Sequence, residues 1–463
     1  MLSEERAGWT SSDIATDPLS SQPPSVIIFG PPWSRSGTAR VIQSQIKYYR
    51  ERGFFTVFIV VPFFWYHVGQ DPNEMTEGMD ELGADRLFPA TLDQKSYTVA
   101  KYKASIRHCF RGTVLDWQVA IGKAARLPDE SVKFLTQLRA VLLHVNHVYT
   151  LGFAMSLRRR LSGGRSLPII LETQDIQSHL LENRGDLNPW TDRPDPLDRL
   201  IKSERELLEK ADTLIHLSVD DFEFFQRLLP SKPQFLALPI IAEDICSTVS
   251  AAAPLAERID LLFLGHCHRP NLFALKWFFD QVWPLIANHQ YNLKIVGLIG
   301  SLVQRELPQL YETFRSCFVG EVADLGPYYR SARCVIAPMV SGTGVSIKTI
   351  EALTLGKPFV GTSKAFRGLP MDRLRATGTQ AYDDPQAFAD AIAQALGNEA
   401  AAQLRSRAAY ERIFSAQAFA ESRDKASRAA ISAHESTSWL RKATAGAMRR
   451  LQAINGHSRA PRS

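Results

Sequence analysis

A glycine-rich loop between an apolar run and a helical pattern is the part of this chain best suited to chemistry. The apolar run 334–339 is followed by Ser341-Gly342-Thr343-Gly344-Val345-Ser346, and a helical pattern then continues to Gly356. Glycines let the backbone approach a ligand closely, and the amide groups and dipole at a helix start favour an anion. Lys348 and Glu351 are three residues apart, so they share one face of the first helical turns.

This combination of residue types suits a nucleotide, because the lysine faces phosphate and the carboxylate accepts hydrogen bonds from ribose hydroxyls. The stretch 357–362 predicts the next buried strand, which places the glycine loop at the carboxyl end of a strand. Open parallel sheets bind ligands at that place. The alternative is a tight strand-to-helix turn with a surface ion pair.

Other strand ends carry polar residues too. Residues 25–30 form an apolar run, which is followed by Gly37, Thr38 and a helical pattern. The spacing from Gly30 to Gly37 does not match the GxGxxG fingerprint of nicotinamide dehydrogenases. Residues 141–148 predict a strand that ends near His147, and 167–175 predict one that ends near Asp175. A histidine or aspartate in such a place also has a structural reading, as a satisfied core residue or a helix cap.

Length and composition bound the class of protein. With 463 residues, 45% hydrophobic and 22% charged, the chain is long enough for two or three globular domains. Five scattered cysteines without a CxxC pair favour a reducing compartment. Residues 1–24 lack the apolar core of a secretory signal and are expected to be disordered. We therefore expect a cytoplasmic protein.

The net charge of +6 lies in the tail, since residues 436–463 carry six basic residues and no acid. The rest of the chain is neutral, which disfavours a nucleic-acid binder. On a helical wheel the tail has an apolar side and a basic side, a pattern that can lie on an anionic membrane surface. The alternative is a terminal helix that is frayed or docked on its own domain.

Several blocks between residues 258 and 370 resemble, in the right order, the donor half of GT-B glycosyltransferases, specifically family 4 or group 1. They are Leu261–Gly265 with Arg269-Pro270-Asn271, then 293–297, 318–322, 328–332 and the glycine loop. The resemblance implies an α/β fold of two Rossmann-like, doubly wound domains facing a central cleft. It implies a hexosyltransferase-type enzyme that moves a sugar from a nucleotide-diphosphate sugar to an acceptor in glycan or polysaccharide biosynthesis, with retention and without a metal or other cofactor.

The same resemblance assigns roles to the candidate residues. Lys348, Arg269 and His147 would be catalytic, and Glu351 would hold the ribose. Gly37, Thr38 and Asp175 would line the acceptor side of the cleft. The remaining donor-binding candidates are Gly265, Gly342, Thr343, Gly344, Val345 and Ser346.

Two departures from the family pattern leave alternatives open. The first of two family glutamates falls on Thr343, and only Arg269 represents an arginine–lysine pair. A nucleotide-sugar epimerase or hydrolase and a non-catalytic scaffold partner with the GT-B fold are the rival functions. His266-Cys267-His268 lacks a second half-site, so no metal site is expected there.

The expected partners are a nucleotide sugar and a glycan, lipid-linked or other acceptor, with no nucleic acid and with the tail at the inner face of a membrane. The predicted organisation, in chain order, is a disordered 1–24, an acceptor-side domain 25–247, a linker 248–257, a donor-side domain 258–405, closing helices 406–435 that cross back, and a basic tail 436–463.

Overall fold

A computed structural model describes residues 23–34, 37–108, 112–161, 167–240 and 251–434 of the chain. The predictions for residues 1–22, for the first part of the linker (248–250) and for the basic tail 436–463 lie outside these residues. Within the described ranges, no helix is both long enough and apolar enough to cross a membrane.

The amino-terminal half is built on a seven-stranded sheet whose neighbours all run parallel. Its strands alternate with helices along the chain, as in doubly wound α/β folds. The nine strands of this half are β1 (Ser25–Gly30), β2 (Phe55–Val60), β3 (Arg86–Pro89), β4 (Ala140–Asn146), β5 (Ile169–Glu172), β6 (Leu187–Asn188), β7 (Arg193–Pro194), β8 (Thr213–His216) and β9 (Gln234–Leu236). The sheet order is β3-β2-β1-β4-β5-β8-β9, while β6 and β7 form a separate antiparallel pair.

Helices cover both faces of this sheet, and the side chains of β1 show why. Ile27 and Phe29 enter one apolar core, while Val26 and Ile28 enter another on the opposite face. A strand buried on both faces reads as an uninterrupted apolar run, which is how β1 appears in the sequence. The helices of this half are Gly37–Glu51, Pro72–Thr76, Gln94–His108, Val114–Ala124, Asp129–Gln137, Val148–Leu161, Gln177–Arg184, Leu197–Leu208 and Val219–Leu228, with short 3-10 turns at Trp65–His67 and Asp80–Leu82.

The carboxyl-terminal half repeats this architecture on a five-stranded parallel sheet. Its strands are β10 (Ile259–Leu264), β11 (Leu293–Val296), β12 (Phe318–Gly320), β13 (Ala332–Ala337) and β14 (Phe359–Gly361), in the order β12-β11-β10-β13-β14. The helices are Arg269–Trp277, a π-helical turn Phe278–Val282, Trp283–Ile286, Ile299–Glu306, Pro308–Thr313, Gly326–Ser331, Ile347–Thr354, Met371–Arg375, Pro385–Gly397 and Glu399–Ile413, with 3-10 turns at Ala287–His289, Arg315–Cys317 and Ser363–Phe366.

A last helix, 416–434, leaves the second half and packs against the first. Arg423 on this helix is buried, and its guanidinium lies 2.8 Å from the carboxylate of Glu172 at the end of β5. Next to it, Asp424 accepts hydrogen bonds from the side chains of Tyr48 and Arg52. The end of the described chain is therefore attached to the amino-terminal sheet through charged groups.

Glu172 is fully buried, and its environment keeps it ionised. Burial alone would raise its pKa, but the charge of Arg423 and the His144 ring, whose Nε2 lies 3.4 Å away, outweigh burial and hold the pKa of Glu172 well below its usual range. Gln45 donates to the same carboxylate over 2.7 Å, and Gln174 donates over 3.2 Å. Removal of one member of such a buried ion pair strongly destabilises the folded protein, because the other charge stays buried without its partner.

We predict that Arg423→Met lowers the free energy of unfolding by about 3–5 kcal/mol, because it leaves the Glu172 carboxylate buried without its cation. Urea unfolding followed by circular dichroism measures this change. The control is Arg205→Met, which breaks an exposed pair with Glu209 and should cost about 0.5 kcal/mol or less. Equal effects of the two substitutions would contradict the prediction.

Candidate active site

The glycine loop lies between β13 and the helix Ile347–Thr354, as the sequence predicts. Gly342 has a φ of 130° and Gly344 a φ of 62°, both in a region that favours glycine. Ser346 is the N-cap residue of the helix, but its side chain makes no capping hydrogen bond. The first amide groups of the helix are therefore oriented toward the loop and remain suited to an anion.

Lys348 lies at the base of the loop with its ammonium group held in place. Its Nζ donates to the carbonyl of Leu264 over 2.9 Å and to the side-chain oxygen of Asn271 over 2.7 Å. The third N–H has the Sδ of Met339, at 3.9 Å, as its partner. A thioether sulfur is a weak acceptor, so a ligand can take over this N–H. Burial and then the charge of Arg367 lower the pKa of Lys348 to about 7, against the attraction of Glu351.

Glu351 lies one turn further along the same helix. Its Oε2 accepts a hydrogen bond of 3.1 Å from the hydroxyl of Tyr329, and within the described residues no hydrogen bond reaches its second oxygen. Burial raises the pKa of Glu351, while the positive charges of Arg40 and Lys348 and the Tyr329 hydrogen bond oppose the rise. Arg40 belongs to the first half of the chain, so both halves act on this carboxylate.

Arg367 is a cation at the loop that the sequence interpretation missed. Its Nε donates to the carbonyl of Thr343 over 3.0 Å, and its Nη1 donates to the carbonyl of Lys364 over the same distance. A methyl group built on Gly342 would lie 3.2 Å from the guanidinium, which therefore packs directly against the loop. Arg367 lies six residues after β14 and outside the glycine loop and the helix that follows it. Residue spacing in the sequence therefore gave no sign that Arg367 belongs to this site.

Arg269 occupies a different environment from Lys348. It begins the helix after β10, with Gly265 between them in the chain. Its side chain is 72% exposed and lies 3.6 Å from the carboxylate of Glu306. Gly265 itself is buried, and its amide donates to the carbonyl of Val296. Of the two predicted cations, Lys348 is anchored on Leu264 and Asn271 beneath the glycine loop, and Arg269 faces solvent.

Two residues from the amino-terminal sheet meet the glycine loop from the other side. A methyl group built on Gly344 would overlap the carboxyl group of Asp175, and one built on Gly37 would lie 3.1 Å from Ile347. Val345 lies beside Gly368, whose carbonyl accepts from the amide of Val219. The two halves of the chain thus touch around the loop, and an anion bound at the Gly344 amide requires the Asp175 carboxyl to move.

Asp175 is held in a setting that favours its neutral form. Burial raises its pKa to about 7, with a further rise caused by Glu204 and an opposing effect of Arg367. The preceding residue, Gln174, has a positive φ of 66°, which is uncommon for a residue with a side chain. Strained backbone of this kind persists where the surrounding structure holds it, and it is frequent at functional sites.

His147, at the end of the neighbouring strand β4, also has a positive φ, 62°. Its Nε2 lies 3.5 Å from the hydroxyl of Thr38, and its amide donates to the carbonyl of Glu172. The ring is buried beside Trp33, and its Nδ1 has no hydrogen-bond partner within the described residues. Burial lowers the pKa of His147 to about 3, so the imidazole is neutral at physiological pH.

Among the described residues, no three His, Cys, Asp or Glu side chains gather in a way that could hold a metal ion. His266 and Cys267 are exposed neighbours whose side chains contact each other at 3.3 Å.

Substitution of Gly344 tests the contact between the two halves. We predict that Gly344→Ala destabilises the fold by about 1–2 kcal/mol for the left-handed backbone and by a further amount for the overlap with Asp175. Gly185→Ala is the matched control, because Gly185 has a φ of 64° and nothing within 4 Å of a built methyl group. Urea unfolding compares the two. If Gly344→Ala lowers the free energy of unfolding no more than Gly185→Ala does, the contact with Asp175 does not restrict the residue at position 344.

Comparison with known proteins agrees with this architecture. Residues 258–398 match the family model of the glycosyl transferases group 1. No curated protein sequence matches the chain.

Three solved structures illustrate the similarity of fold. HepE of Anabaena, solved in complex with UDP, is 15% identical with a TM-score of 0.53, over 84% of this chain and 95% of HepE. Sucrose-phosphate synthase of Thermosynechococcus elongatus is 14% identical with a TM-score of 0.52, over 91% of this chain and 100% of the synthase. A glycosyltransferase of Rickettsia africae is 11% identical with a TM-score of 0.56, over 89% of this chain and 99% of that protein. The predicted resemblance is therefore confirmed: the chain has the GT-B fold, and its residues 258–398 match the glycosyl transferases group 1.

Proposed function

We propose that this protein is a glycosyltransferase that moves a hexose from a nucleotide-diphosphate sugar to a glycan, lipid-linked or other acceptor. We further propose that it acts in the cytoplasm in glycan or polysaccharide biosynthesis, with retention and without a metal or other cofactor. The observation that carries the proposal is the glycine loop, where the helix amides, Lys348 and Arg367 converge on one place. HepE, a structural neighbour, was solved with UDP and with UDP-glucose, which supports a uridine nucleotide as the first donor to test.

Lys348 and Arg367 are suited to the departing diphosphate. Each uses part of its hydrogen-bonding capacity to hold itself in place, since Lys348 donates to Leu264 and Asn271 and Arg367 donates to Thr343 and Lys364. The N–H groups that remain are therefore fixed in direction before a ligand arrives. Donors that are fixed in advance stabilise developing negative charge without further reorganisation. In this mechanism the two cations and the loop amides stabilise the phosphate oxygens as the bond to the sugar breaks.

Glu351 is suited to the ribose. The hydroxyl of Tyr329 fixes its Oε2, which leaves Oε1 to accept from a ribose hydroxyl. Burial raises the pKa of Glu351, and the charges of Arg40 and Lys348 oppose this rise and favour the carboxylate form. The Tyr329 hydroxyl also limits the orientation of the carboxylate, which favours one position of the nucleoside.

His147 and Asp175 face the loop from the acceptor side. Because burial lowers the pKa of His147 to about 3, its neutral ring is a weak base, and we assign it a hydrogen-bonding role toward a sugar or acceptor hydroxyl. Asp175 has a pKa of about 7 and covers Gly344. A donor that displaces this carboxyl from the loop moves it toward the place where an acceptor would enter.

Turnover assays separate this proposal from its rivals. The purified protein is incubated with UDP-glucose and other nucleotide sugars, with and without glycan acceptors, and the nucleotide and sugar products are identified. A transferase gives an extended acceptor with release of the nucleoside diphosphate. Free sugar or an isomerised donor in the absence of acceptor would identify a hydrolase or epimerase. Donor binding without any turnover over a broad acceptor set would favour the scaffold function.

We predict that Glu351→Ala weakens binding of the nucleoside diphosphate by about 1–3 kcal/mol, because partner groups of the carboxylate are left unsatisfied. Isothermal titration calorimetry measures the affinity. Tyr329→Phe keeps the carboxylate and should weaken binding less. Glu312→Ala removes an exposed glutamate on the helix Pro308–Thr313 and should change nothing. An affinity equal to that of the wild type would remove Glu351 from the donor site.

We also predict that diphosphate binding at pH 8 takes up nearly one proton through Lys348. At that pH an ammonium group with a pKa of about 7 is mostly neutral. A bound anion raises the pKa of this group and so favours its protonated form. Below about pH 6 the lysine is already charged, so this uptake vanishes there. Calorimetry in buffers of different ionisation enthalpy counts the protons.

Lys348→Arg is the control for this proton, because arginine stays charged at both pH values. The variant should lose the Lys348 contribution to the uptake at pH 8. Asp175→Asn is measured in parallel, since the Asp175 carboxyl also has a pKa of about 7 and faces the loop. If Lys348→Arg takes up as many protons as the wild type, the proton belongs to another group.

A further inference from the structure

A large groove lies on the amino-terminal half, on elements that the candidate active site does not use. It has a volume of about 1060 Å³ and lies among the helices Gln94–His108, Val114–Ala124 and Val148–Leu161. The second and third helices cross very closely at two glycines: a methyl group on either Gly122 or Gly152 would lie 2.7 Å from a backbone carbonyl of the other helix. The groove is therefore built on a tightly packed base.

The charges around this groove are strongly biased. Its lining includes seven lysines and arginines but two acids, Asp93 and Asp116. Both acids are already engaged, since Asp93 accepts from the amide of Ser96 and Asp116 accepts from the amide of Thr113. All seven basic side chains are exposed. An anionic partner therefore meets an excess of five positive charges in one place.

The bias is notable because the chain outside residues 436–463 has equal numbers of basic and acidic residues. Arginines at the end of the helix Val148–Leu161 have an ordinary structural role, because they compensate the helix dipole. That role does not extend to Lys95 and Lys103, which lie in the first turn and the middle of another helix. The groove thus collects positive charge from separate elements for which no single structural reason exists.

Apolar side chains accompany these charges. The floor includes Leu151, Phe153 and Leu157, which are buried, and the rim includes Val99, which is 43% exposed. Tyr102, on the same helix as Val99, is 69% exposed. Exposed apolar and tyrosine side chains among lysines and arginines are typical of segments that lie at the interface of an anionic bilayer.

We propose that this groove is the surface through which the protein docks on a membrane that contains anionic phospholipids. The lysines and arginines contact lipid phosphates, and Val99 and Tyr102 enter the interfacial layer. The contact is peripheral and depends on charge, so it weakens as the salt concentration rises. It does not require the basic tail 436–463.

Vesicle co-sedimentation tests this proposal with the full chain. Sucrose-loaded vesicles of phosphatidylcholine alone are compared with vesicles of equimolar phosphatidylcholine and phosphatidylglycerol at low salt. The groove variant is Lys103→Glu with Arg160→Glu. The control variant, Arg227→Glu with Lys425→Glu, makes the same charge change at exposed positions outside the groove. A third protein ends at residue 435.

The wild type should sediment with the anionic vesicles and not with phosphatidylcholine alone. The groove variant should lose at least about 25-fold in partition, from about fivefold for each basic residue near the surface. The control variant and the shortened chain should sediment like the wild type. Melting curves by circular dichroism show whether each variant is folded. If the groove variant is unfolded, Lys95→Gln with Arg159→Gln replaces it.

Three outcomes would overturn the proposal. The first is a folded groove variant that sediments as well as the wild type. The second is loss of sedimentation on removal of residues 436–463 alone, which would assign the contact to the tail. The third is a wild type that does not sediment, or that sediments equally with both vesicles.

Discussion

The buried ion pair between Arg423 and Glu172 is the constraint on which the ends of β4 and β5, which carry His147 and Asp175, depend. Glu172 ends β5, three residues before Asp175, and its carbonyl accepts the amide of His147. Its carboxylate also binds Gln174, the residue with the positive φ. The helix 416–434 therefore holds, through one carboxylate, the two strand ends that carry His147 and Asp175.

A buried pair of charges is a costly way to hold a helix, because well-packed apolar residues of the same size are often as stable or more so. The advantage of the ion pair is that it restricts the orientation of the helix. The Oε1 of Glu172 accepts from Gln45 and Gln174, while its Oε2 lies 2.8 Å from the Arg423 guanidinium and 3.4 Å from His144, so a shifted helix would lose the ion pair. Apolar packing would stabilise the same helix in several neighbouring positions. The ion pair thus specifies how the closing helix lies on the sheet.

The donor side shows the opposite electrostatic situation. Lys348 and Arg367 lie close enough for Arg367 to lower the pKa of Lys348, and burial lowers the pKa of both groups. Two cations held together in this way are unfavourable until an anion lies between them. The Asp175 carboxyl opposes the effect of burial on Arg367, but burial raises its own pKa to about 7, so it supplies only part of a charge near neutral pH. A diphosphate carries more charge than one carboxyl, so it can replace Asp175 at the loop.

The sequence predicted the parts of this site that are local in the chain and missed those that are not. The glycine loop, Lys348 and Glu351 lie within ten residues, and their spacing alone placed them on one helix turn. Tyr329, Arg367 and Arg423 lie on other elements, and a single chain gives no spacing that links them to Glu351, Thr343 or Glu172. The basic groove was missed for a similar reason, because a count over residues 1–435 gives equal numbers of basic and acidic residues and hides a local excess.

The position of the groove relative to the cleft follows from one helix. Val148–Leu161 begins directly after His147 in the cleft and ends with Arg158, Arg159 and Arg160. At 1.5 Å per residue its ends are about 20 Å apart. In the proposed docking, a membrane at the basic end lies one helix length from His147, so a bound protein stays within reach of acceptors at the lipid surface. Confinement to that surface raises the local concentration of a lipid-linked acceptor without any new contact in the cleft, which would let a modest acceptor site work at low acceptor abundance.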